Sequence, residues 1–290
     1  MKYYVLYNPL AGNGTAEDSI NHLPHDPSAD IVKCDVTKID CYSDFFSKLD
    51  TEDVIILCGG DGTLNRFING TDGLTLPSDV LYFPAGSGND FLTDVEKTKE
   101  ESPFSIKEYI KDLPTVTIKD KTYRFINNVG FGIDGYCCEV GDKKKAESTK
   151  KVDYTSIAIN GLLFHYEPTN ATVIVDGVEH HFKKVWLAPT MKGRFYGGGM
   201  MACPEQDRNN PDGELSVLLF HGSGRIKTLV IFPSIFKGKH VKSKKVVTIL
   251  TGKNITVKFD GPRAVQIDGE TILGVTEYTA CARVPAKVTE

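Results

Sequence analysis

A glycine-rich stretch directly after a short apolar run constrains the fold of this chain more than any other feature. The run Val54 to Leu57 is uncharged and rich in β-branched residues, which predicts a strand buried on both faces of a parallel sheet. The next residues, Cys58 to Thr63, contain three glycines and one acid. Apolar residues then recur at helical spacing from Leu64 to Ile68, and Gly70 is placed to cap that helix in a left-handed conformation. The stretch therefore predicts a strand, a tight loop and the start of a helix.

This loop is suited to binding a phosphate group. Glycines let backbone N–H groups approach an anion closely, and the positive end of the helix dipole adds to the attraction. Asp61 is the one charged residue of the loop. Its carboxylate suggests that it binds a cation or a hydroxyl group beside the phosphates. A tight strand-to-helix connection with no ligand would use the same three glycines, so the loop alone leaves both interpretations open.

Two further predicted strands end in loops of similar composition. Residues 3–7 lead into Asn8 to Thr15, and residues 79–83 lead into Pro84 to Phe91. A fourth predicted strand, 30–36, is followed by Thr37. Because ligands of open α/β sheets bind at the carboxyl ends of the strands, these loops are predicted to share one edge and one ligand.

The size and composition of the chain exclude several classes. A length of 290 residues is sufficient for two domains. A net charge of −4 provides no cationic field that would attract nucleic acid. The seven cysteines are odd in number and form no C-x-x-C pair, which favours reduced thiols in the cytoplasm. No apolar run reaches the roughly 18 residues that a membrane span needs. The N-terminus is interpreted as a first strand and not as a signal peptide.

The second half of the chain is predicted to be mostly β-structure. Short alternating strands dominate after about residue 121, and Asp176-Gly177 marks a hairpin turn between two of them. Residues 154–164 give the one convincing helix of this half. The predicted fold is therefore an α/β N-terminal domain followed by a β-sandwich C-terminal domain.

Acidic residues in this half could act in catalysis or bind a cation, and each could instead belong to a turn without function. Asp268 and Glu270 flank Gly269 at the end of a predicted strand, and in an extended chain both would project to the same side. A carboxylate that faces a bound nucleotide is a candidate general base, whereas an Asp-Gly hairpin turn explains the same residues without function. The turn Asn209 to Leu215 could hold a hard cation or remain a solvated surface turn.

Two basic stretches also lie in the second half. One is Lys143 to Lys151, and the other, Lys237 to Lys245, follows the apolar segment Ile231 to Phe236. Runs of charge are usually solvated faces, but an apolar segment beside a lysine cluster also suits an anionic membrane surface.

Together these motifs resemble those of the diacylglycerol kinase catalytic-domain family in its compact bacterial form, which is related to sphingosine kinases. They occur in the family's order and span nearly the whole chain. The motifs are Asn8-Pro9-x-x-Gly12, Gly59-Gly60-Asp61-Gly62-Thr63 with Asn65, Pro84-x-Gly86-Ser87-Gly88-Asn89-Asp90-Phe91, Tyr196-Gly197-Gly198-Gly199, Asp212-Gly213-x-Leu215 and Asp268-Gly269-Glu270.

The resemblance implies two domains with separate roles. Residues 1–121 would form a nucleotide-binding α/β domain with a phosphofructokinase-like or NAD-kinase-like sheet, to which residues 277–290 return. Residues 122–276 would form a β-sandwich that takes the lipid acceptor. The residues implied to touch the nucleotide are Asn8, Pro9, Leu10, Ala11, Gly12, Thr37, Gly59, Gly60, Asp61, Gly62, Thr63, Leu64, Asn65, Gly86 and Ser87.

The same resemblance implies an ATP-dependent, Mg²⁺-requiring transferase of phospholipid biosynthesis that phosphorylates a lipid hydroxyl, most simply diacylglycerol to phosphatidic acid. Asp61 would organise Mg²⁺ and water near the γ-phosphate, and Asp268 or Glu270 would take the hydroxyl proton. An accessory Mg²⁺ site maps onto Asp212 with the main-chain oxygens of Asn209 and Glu214.

The implied partner is a lipid substrate at the membrane surface, reached by transient peripheral contact with the inner face of the membrane. A homodimer through an exposed edge strand stays open. Two other functions also stay open at this point: an NAD kinase-like phosphotransferase on a soluble acceptor, and a non-catalytic nucleotide-binding regulator.

Overall fold

The computed structural model describes residues 1–9, 16–25, 29–76, 79–86, 88–147 and 152–283. The chain forms two compact units, Met1–Leu113 and Pro114–Glu290. This boundary lies before the one placed near residue 121, because Thr115–Ile118 and Lys121–Arg124 form a hairpin that joins the sheet of the second unit.

The first unit is built on a five-stranded sheet. Its order is β2-β1-β3-β4-β5, in which the first four strands are parallel and β5 is antiparallel to β4. The strands are β1 (Lys2–Tyr7), β2 (Asp30–Asp35), β3 (Val54–Gly59), β4 (Val80–Pro84) and β5 (Phe104–Ser105), and the helices are α1 (Ala16–Ile20), α2 (Tyr42–Phe46), α3 (Asp61–Gly70), α4 (Asp90–Asp94) and α5 (Lys107–Ile110). Short 3₁₀ turns cover Val36–Lys38 and Lys99–Glu101.

β3 is the buried strand that the sequence predicts, since Ile55, Ile56 and Leu57 are all inaccessible to solvent. The predicted left-handed cap at Gly70 is wrong, because Gly70 is the last residue of α3 and Thr71 is the C-cap. Gly70 is needed there for another reason: a Cβ atom at this position would lie 2.6 Å from the Tyr42 ring.

The second unit is dominated by a ten-stranded antiparallel sheet. Its order is β15-β14-β11-β8-β16-β17-β6-β7, and β9 joins β16 and β10 beside this path. The strands are β6 (Thr115–Ile118), β7 (Lys121–Arg124), β8 (Asn128–Gly132), β9 (Thr169–Val175), β10 (Val178–Val185), β11 (Leu187–Met191), β12 (Phe195–Tyr196), β13 (Met200–Met201), β14 (Leu215–Phe220), β15 (Val247–Gly252), β16 (Asn254–Ile267) and β17 (Glu270–Cys281), and the helices are α6 (Ile133–Glu147), α7 (Tyr154–Asn160) and α8 (Arg225–Ile231).

Two hydrophobic cores lie on opposite faces of this sheet. Along β14, Leu215, Val217 and Leu219 belong to one core, and Leu218 and Phe220 belong to the other. Successive side chains of a strand point to opposite faces, so both faces are covered. The helices pack on the second of these cores.

The sequence predicted one helix in this half, whereas its described residues contain three α-helices. α6 was missed because Gly135 and Gly141 interrupt its pattern. A Cβ atom at Gly135 would lie 2.2 Å from the Ala264 oxygen, and one at Gly141 would lie 2.6 Å from the Tyr154 ring. These glycines permit close packing and do not break the helix.

The end of the described chain belongs to the second unit. β17 pairs with β16 along its length and with β6 through Thr279 and Thr117, so residues 277–281 do not return to the first unit. Residues 284–290 lie outside the described residues. The predicted Asp176-Gly177 hairpin is confirmed, with φ angles of 47° and 85°. In the part of the chain that the structure describes, no helix is long and apolar enough to span a membrane.

Candidate functional site

The predicted nucleotide residues of the first unit follow the carboxyl ends of four neighbouring parallel strands. Tyr7 pairs with both Asp35 and Cys58, and Gly59 pairs with Pro84, so the four strands end level with one another. The residues that follow them lie along one edge of the sheet, as predicted. The described members of this set are Asn8, Pro9, Thr37, Gly59 to Asn65 and Gly86; Leu10, Ala11, Gly12 and Ser87 lie outside the described residues.

The loops after β3 and β4 are packed backbone against backbone. A Cβ atom at Gly60 would lie 2.6 Å from the Gly88 oxygen, and one at Gly86 would lie 2.4 Å from the Gly60 Cα. A Cβ atom at Gly59 would meet the Thr63 hydroxyl at 2.2 Å. The Ala85 N–H donates to the Gly59 oxygen at 3.0 Å. The glycines are thus required by this close approach, which keeps bare main chain at the edge of the sheet.

Asp61 joins the two loops through its carboxylate. Its Oδ2 accepts the N–H of Asp90 at 2.9 Å, and its Oδ1 accepts the N–H of Phe91 at 3.1 Å. These amides belong to the first turn of α4, where an acidic side chain is favourable. The structure therefore gives Asp61 a structural role beside the catalytic one that the resemblance implies.

The start of α3 presents backbone and not side chains. Gly60 is its N-cap residue, and its oxygen accepts the N–H groups of Thr63 and Leu64 at 3.0 and 3.2 Å. The side chains of Thr63, Leu64 and Asn65 are buried. The side-chain amide of Asn69 donates to the main-chain oxygen of Asn65 at 3.0 Å. The Asp61 N–H donates to the Gly88 oxygen at 3.4 Å, so contact between this segment and a phosphate would be made by main chain at the exposed Gly62.

The remaining loop residues are held by local hydrogen bonds. Asp35 Oδ1 accepts both the N–H and the hydroxyl of Thr37, at 2.9 and 2.7 Å, which fixes Thr37 at the end of β2. The Asn89 amide donates to the Gly86 oxygen at 3.0 Å. Burial, with the nearby Asp61 carboxylate, raises the pKa of Tyr82 well above its usual value, so this phenol under the loop stays protonated.

Asp268 and Glu270 lie in a hairpin turn and not in an extended strand. Asp268 and Gly269 have φ angles of 47° and 94°, the type I′ pattern, and Ile267 pairs with Glu270. The extended arrangement considered from the sequence is thus wrong, and the hairpin alternative is the observed one. Glu270 is exposed at the start of β17, whereas Asp268 is buried.

The Asp268 carboxylate is held by the chain that enters β8. It accepts three backbone N–H groups, from Ile126 at 2.7 Å, Asn127 at 2.8 Å and Asn128 at 2.9 Å. The buried Arg208 guanidinium holds the same segment, donating to the Ile126 oxygen at 2.6 Å and to Asn127 Oδ1 at 2.9 Å. The turn is therefore fixed rigidly to the centre of the sheet.

A buried acid that the sequence pattern did not single out is linked to this turn. Asp134, at the start of α6, accepts the Gln266 amide at 3.2 Å, and Gln266 Oε1 accepts the Gly269 N–H at 2.9 Å. Asp134 Oδ1 is buried without a hydrogen-bond partner among the described residues. Burial raises the pKa of Asp134 to about 6, and the Gln266 hydrogen bond opposes this shift. A lone acid among Gly132, Ile133 and Gly135 is the signal that could have identified it.

The predicted ligands of an accessory Mg²⁺ ion are Asn209, Asp212 and Glu214. The Glu214 main-chain oxygen accepts the side-chain amides of Gln206 at 2.9 Å and Asn210 at 3.0 Å, which uses both of its lone pairs. The Asp212 carboxylate lies 3.7 Å from the Lys253 ammonium. Within the described residues no group of three or more His, Cys, Asp or Glu side chains could hold a metal ion. These residues therefore do not fit a Mg²⁺ ligand set in this structure.

Comparison with known proteins covers both units. Residues 2–116 match the diacylglycerol kinase catalytic domain, and residues 127–288 match the YegS C-terminal NAD kinase beta sandwich-like domain. A diacylglycerol kinase of Mycobacterium tuberculosis is 26% identical over 286 residues, covering 93% of this chain and 88% of that protein. A crystal structure of a diacylglycerol kinase from Bacillus anthracis matches this fold with a TM-score of 0.61 and 18% identity. The match covers 98% of this chain and 94% of the Bacillus chain. The predicted α/β and β-sandwich domains are confirmed, and the matches favour the lipid kinase over the other two functions.

Proposed function

This chain belongs to the diacylglycerol kinase catalytic-domain family of lipid kinases, and on that premise we propose that it transfers the γ-phosphate of ATP to the free hydroxyl of diacylglycerol. The observation that carries the proposal is the row of loops at one edge of the first sheet, where two glycine loops pack backbone against backbone and Gly62, in the first turn of α3, is exposed. Oriented amides of this kind neutralise phosphate charge, which together with positioning supplies most of the catalysis of phosphoryl transfer.

ATP would bind the first unit as its complex with Mg²⁺, which enters with the nucleotide as part of the substrate. The contacts proposed for it are the main chain of Gly59 to Asn65, together with Asn8, Thr37 and Gly86. Asp61 fixes the distance between the two glycine loops through its hydrogen bonds to the start of α4. No step is assigned to a cation at Asp212.

The acid pair of the second unit is proposed to accept the proton of the lipid hydroxyl. Asp268 is rigidly placed by three amides, and Glu270 is exposed beside it. Two variants separate them, Asp268→Asn and Glu270→Gln, each assayed for turnover and for unfolding. The base is the residue whose variant loses turnover while the protein stays folded; near-normal turnover in both variants would remove the assignment.

The acceptor is tested by a panel. Pure protein is incubated with ATP, Mg²⁺ and micelles that contain diacylglycerol, monoacylglycerol, sphingosine or undecaprenol, with NAD as a soluble acceptor. Labelled phosphate in diacylglycerol supports the proposal, and label in another lipid alone replaces the acceptor. Label in NAD alone supports the NAD kinase-like alternative, and ATP binding with no label in any acceptor supports a regulator.

The proposal also places the protein at the inner face of the membrane, where its acceptor lies. A homodimer, if formed, would use an unpaired sheet edge such as that of β2, which is at the end of the first sheet. Size-exclusion chromatography with light scattering measures this directly, and a monomeric mass would remove the dimer.

A further inference from the structure

The helical segment from Arg225 to Lys237 turns an apolar face to solvent. It comprises α8 and the 3₁₀ helix Phe232–Lys237 that follows. Ile226 is 79% exposed, Val230 is 74% exposed and Phe236 is also exposed. Ile226 and Val230 are four residues apart and share one side of the helix. A helix packed on a core normally presents polar residues to water, so this exposure needs a partner.

A second exposed aromatic residue lies on a neighbouring element. Phe164 is 69% exposed and belongs to the π-helical turn Gly161–His165. The Arg225 guanidinium donates to the main-chain oxygens of Leu162 at 3.0 Å and Tyr166 at 2.9 Å, on either side of Phe164. The turn and the start of α8 are therefore fixed together. Phe164, Ile226, Val230 and Phe236 are named the apolar face below.

The segment that carries α8 bears charge of one sign, and the Glu167 carboxylate beside the π-helical turn is paired with Arg225. Residues 215–259 contain no Asp or Glu and nine Lys or Arg, in a chain whose net charge is −4. Lys253 and Lys258, on β15–β16, form ion pairs with Asp212 and Glu277. Among the described residues, no carboxylate forms an ion pair with the six exposed lysines between residues 227 and 245. These lysines are Lys227, Lys237, Lys239, Lys242, Lys244 and Lys245.

We propose that the apolar face docks on an anionic lipid bilayer, with Ile226, Val230 and their neighbours inserted and the lysines at the headgroups. Apolar side chains bordered by lysines are the combination that binds such interfaces, since insertion and attraction to anionic lipids add together. A protein partner with an apolar groove would not require six exposed lysines in the same stretch of chain. The docking inference rests on the proposed function, because diacylglycerol is itself a bilayer lipid.

The test is sedimentation of the full chain with vesicles of phosphatidylcholine, with or without phosphatidylglycerol. The variant Ile226→Glu/Val230→Glu removes the insertion. Its matched control is Val178→Glu/Leu273→Glu, which changes two side chains that are also more than half exposed, on β10 and β17. We expect the first variant to bind anionic vesicles at least about tenfold more weakly and the control to bind like the wild type.

The lysines are tested separately. Lys242→Ala/Lys244→Ala/Lys245→Ala should weaken binding to anionic vesicles by about fivefold for each lysine that touches the surface, and should reduce the salt dependence of binding. Binding to neutral vesicles should change little. Equal losses on neutral and anionic vesicles would contradict the charge contribution.

Two results overturn the docking inference. One is wild-type protein that does not sediment with anionic vesicles, and the other is unchanged binding by Ile226→Glu/Val230→Glu. If that variant instead converts a dimer to a monomer without loss of vesicle binding, the face belongs to a second copy of the chain. Turnover on short-chain diacylglycerol in micelles is measured in parallel and should be equal in all variants. Vesicle binding that depends on the face, without turnover of any lipid, overturns the proposed function and leaves the docking surface standing.

Discussion

The buried carboxyl of Asp134 allows a quantitative test, because its ionisation should lower the stability of the second unit. Its pKa is raised by burial from 3.8 to about 6. Between these values the folded state retains a proton that the unfolded chain releases, so the free energy of unfolding falls as pH rises. Two pKa units at about 1.4 kcal/mol each give a loss of about 3 kcal/mol, most of it between pH 4 and pH 6.

The perturbation is Asp134→Asn, which stays neutral at every pH and keeps an oxygen for the Gln266 amide. We expect the free energy of unfolding of the variant, minus that of the wild type, to increase by about 2 to 3 kcal/mol from pH 4 to pH 7. Trp186 is the only tryptophan of the chain and is buried in the second unit, so its fluorescence during urea unfolding reports this unit alone.

The matched control is Asp120→Asn, an exposed carboxylate in the turn between β6 and β7 of the same unit. The free energy of unfolding of Asp120→Asn, minus that of the wild type, should stay nearly constant over the same pH range. A flat difference for Asp134→Asn, or one that decreases with pH, would contradict this prediction, since the buried carboxyl would then ionise as easily in the folded protein as in the unfolded chain.

Three further changes test the loops and the turn. Gly86→Ala places a Cβ atom against the Gly60 backbone and should destabilise the first unit by about 1 to 3 kcal/mol, measured by circular dichroism in urea; an unchanged midpoint would contradict the close contact. Asp61→Asn retains one acceptor for the two α4 amides, so the fold should persist while turnover is lost, and normal turnover would remove its catalytic role. Asp268→Asn turns an NH₂ group toward a backbone N–H and should cost about 1 to 3 kcal/mol, seen as a lower urea midpoint of Trp186 fluorescence.

Local pattern was enough to predict the four parallel strands of the first unit and the helix that follows β3, but not α1, α4 or β5. The strand β3, the glycine loop and the helix α3 each have a distinct residue pattern, and the right-handed parallel arrangement of βα units leaves few other folds. Gly70 shows the limit of this reasoning. A glycine near a helix end suggests a cap, but here it makes room for the Tyr42 ring, which comes from another helix and is invisible to local pattern.

The second unit was harder because its decisive contacts are distant in sequence. α6 was missed since Gly135 faces the β16 backbone, and only the folded sheet shows why a glycine is needed there. The resemblance pointed to Asp268, but its three amide partners could not be predicted. The role of Asp134 depends on burial, which a single acid in an apolar stretch only suggests.

The hydrogen bonds of Asp268 can form only late in the synthesis of the protein. They span 140 to 142 residues, so the amides at the entrance to β8 have no carboxylate until that much more chain has been synthesised. At about 5 to 20 residues per second this interval is about 7 to 30 seconds on the ribosome. The first sheet has all its strands within residues 2–105 and is complete before β8 is even made. During translation β8 is therefore made many seconds before β16, the central strand with which it pairs.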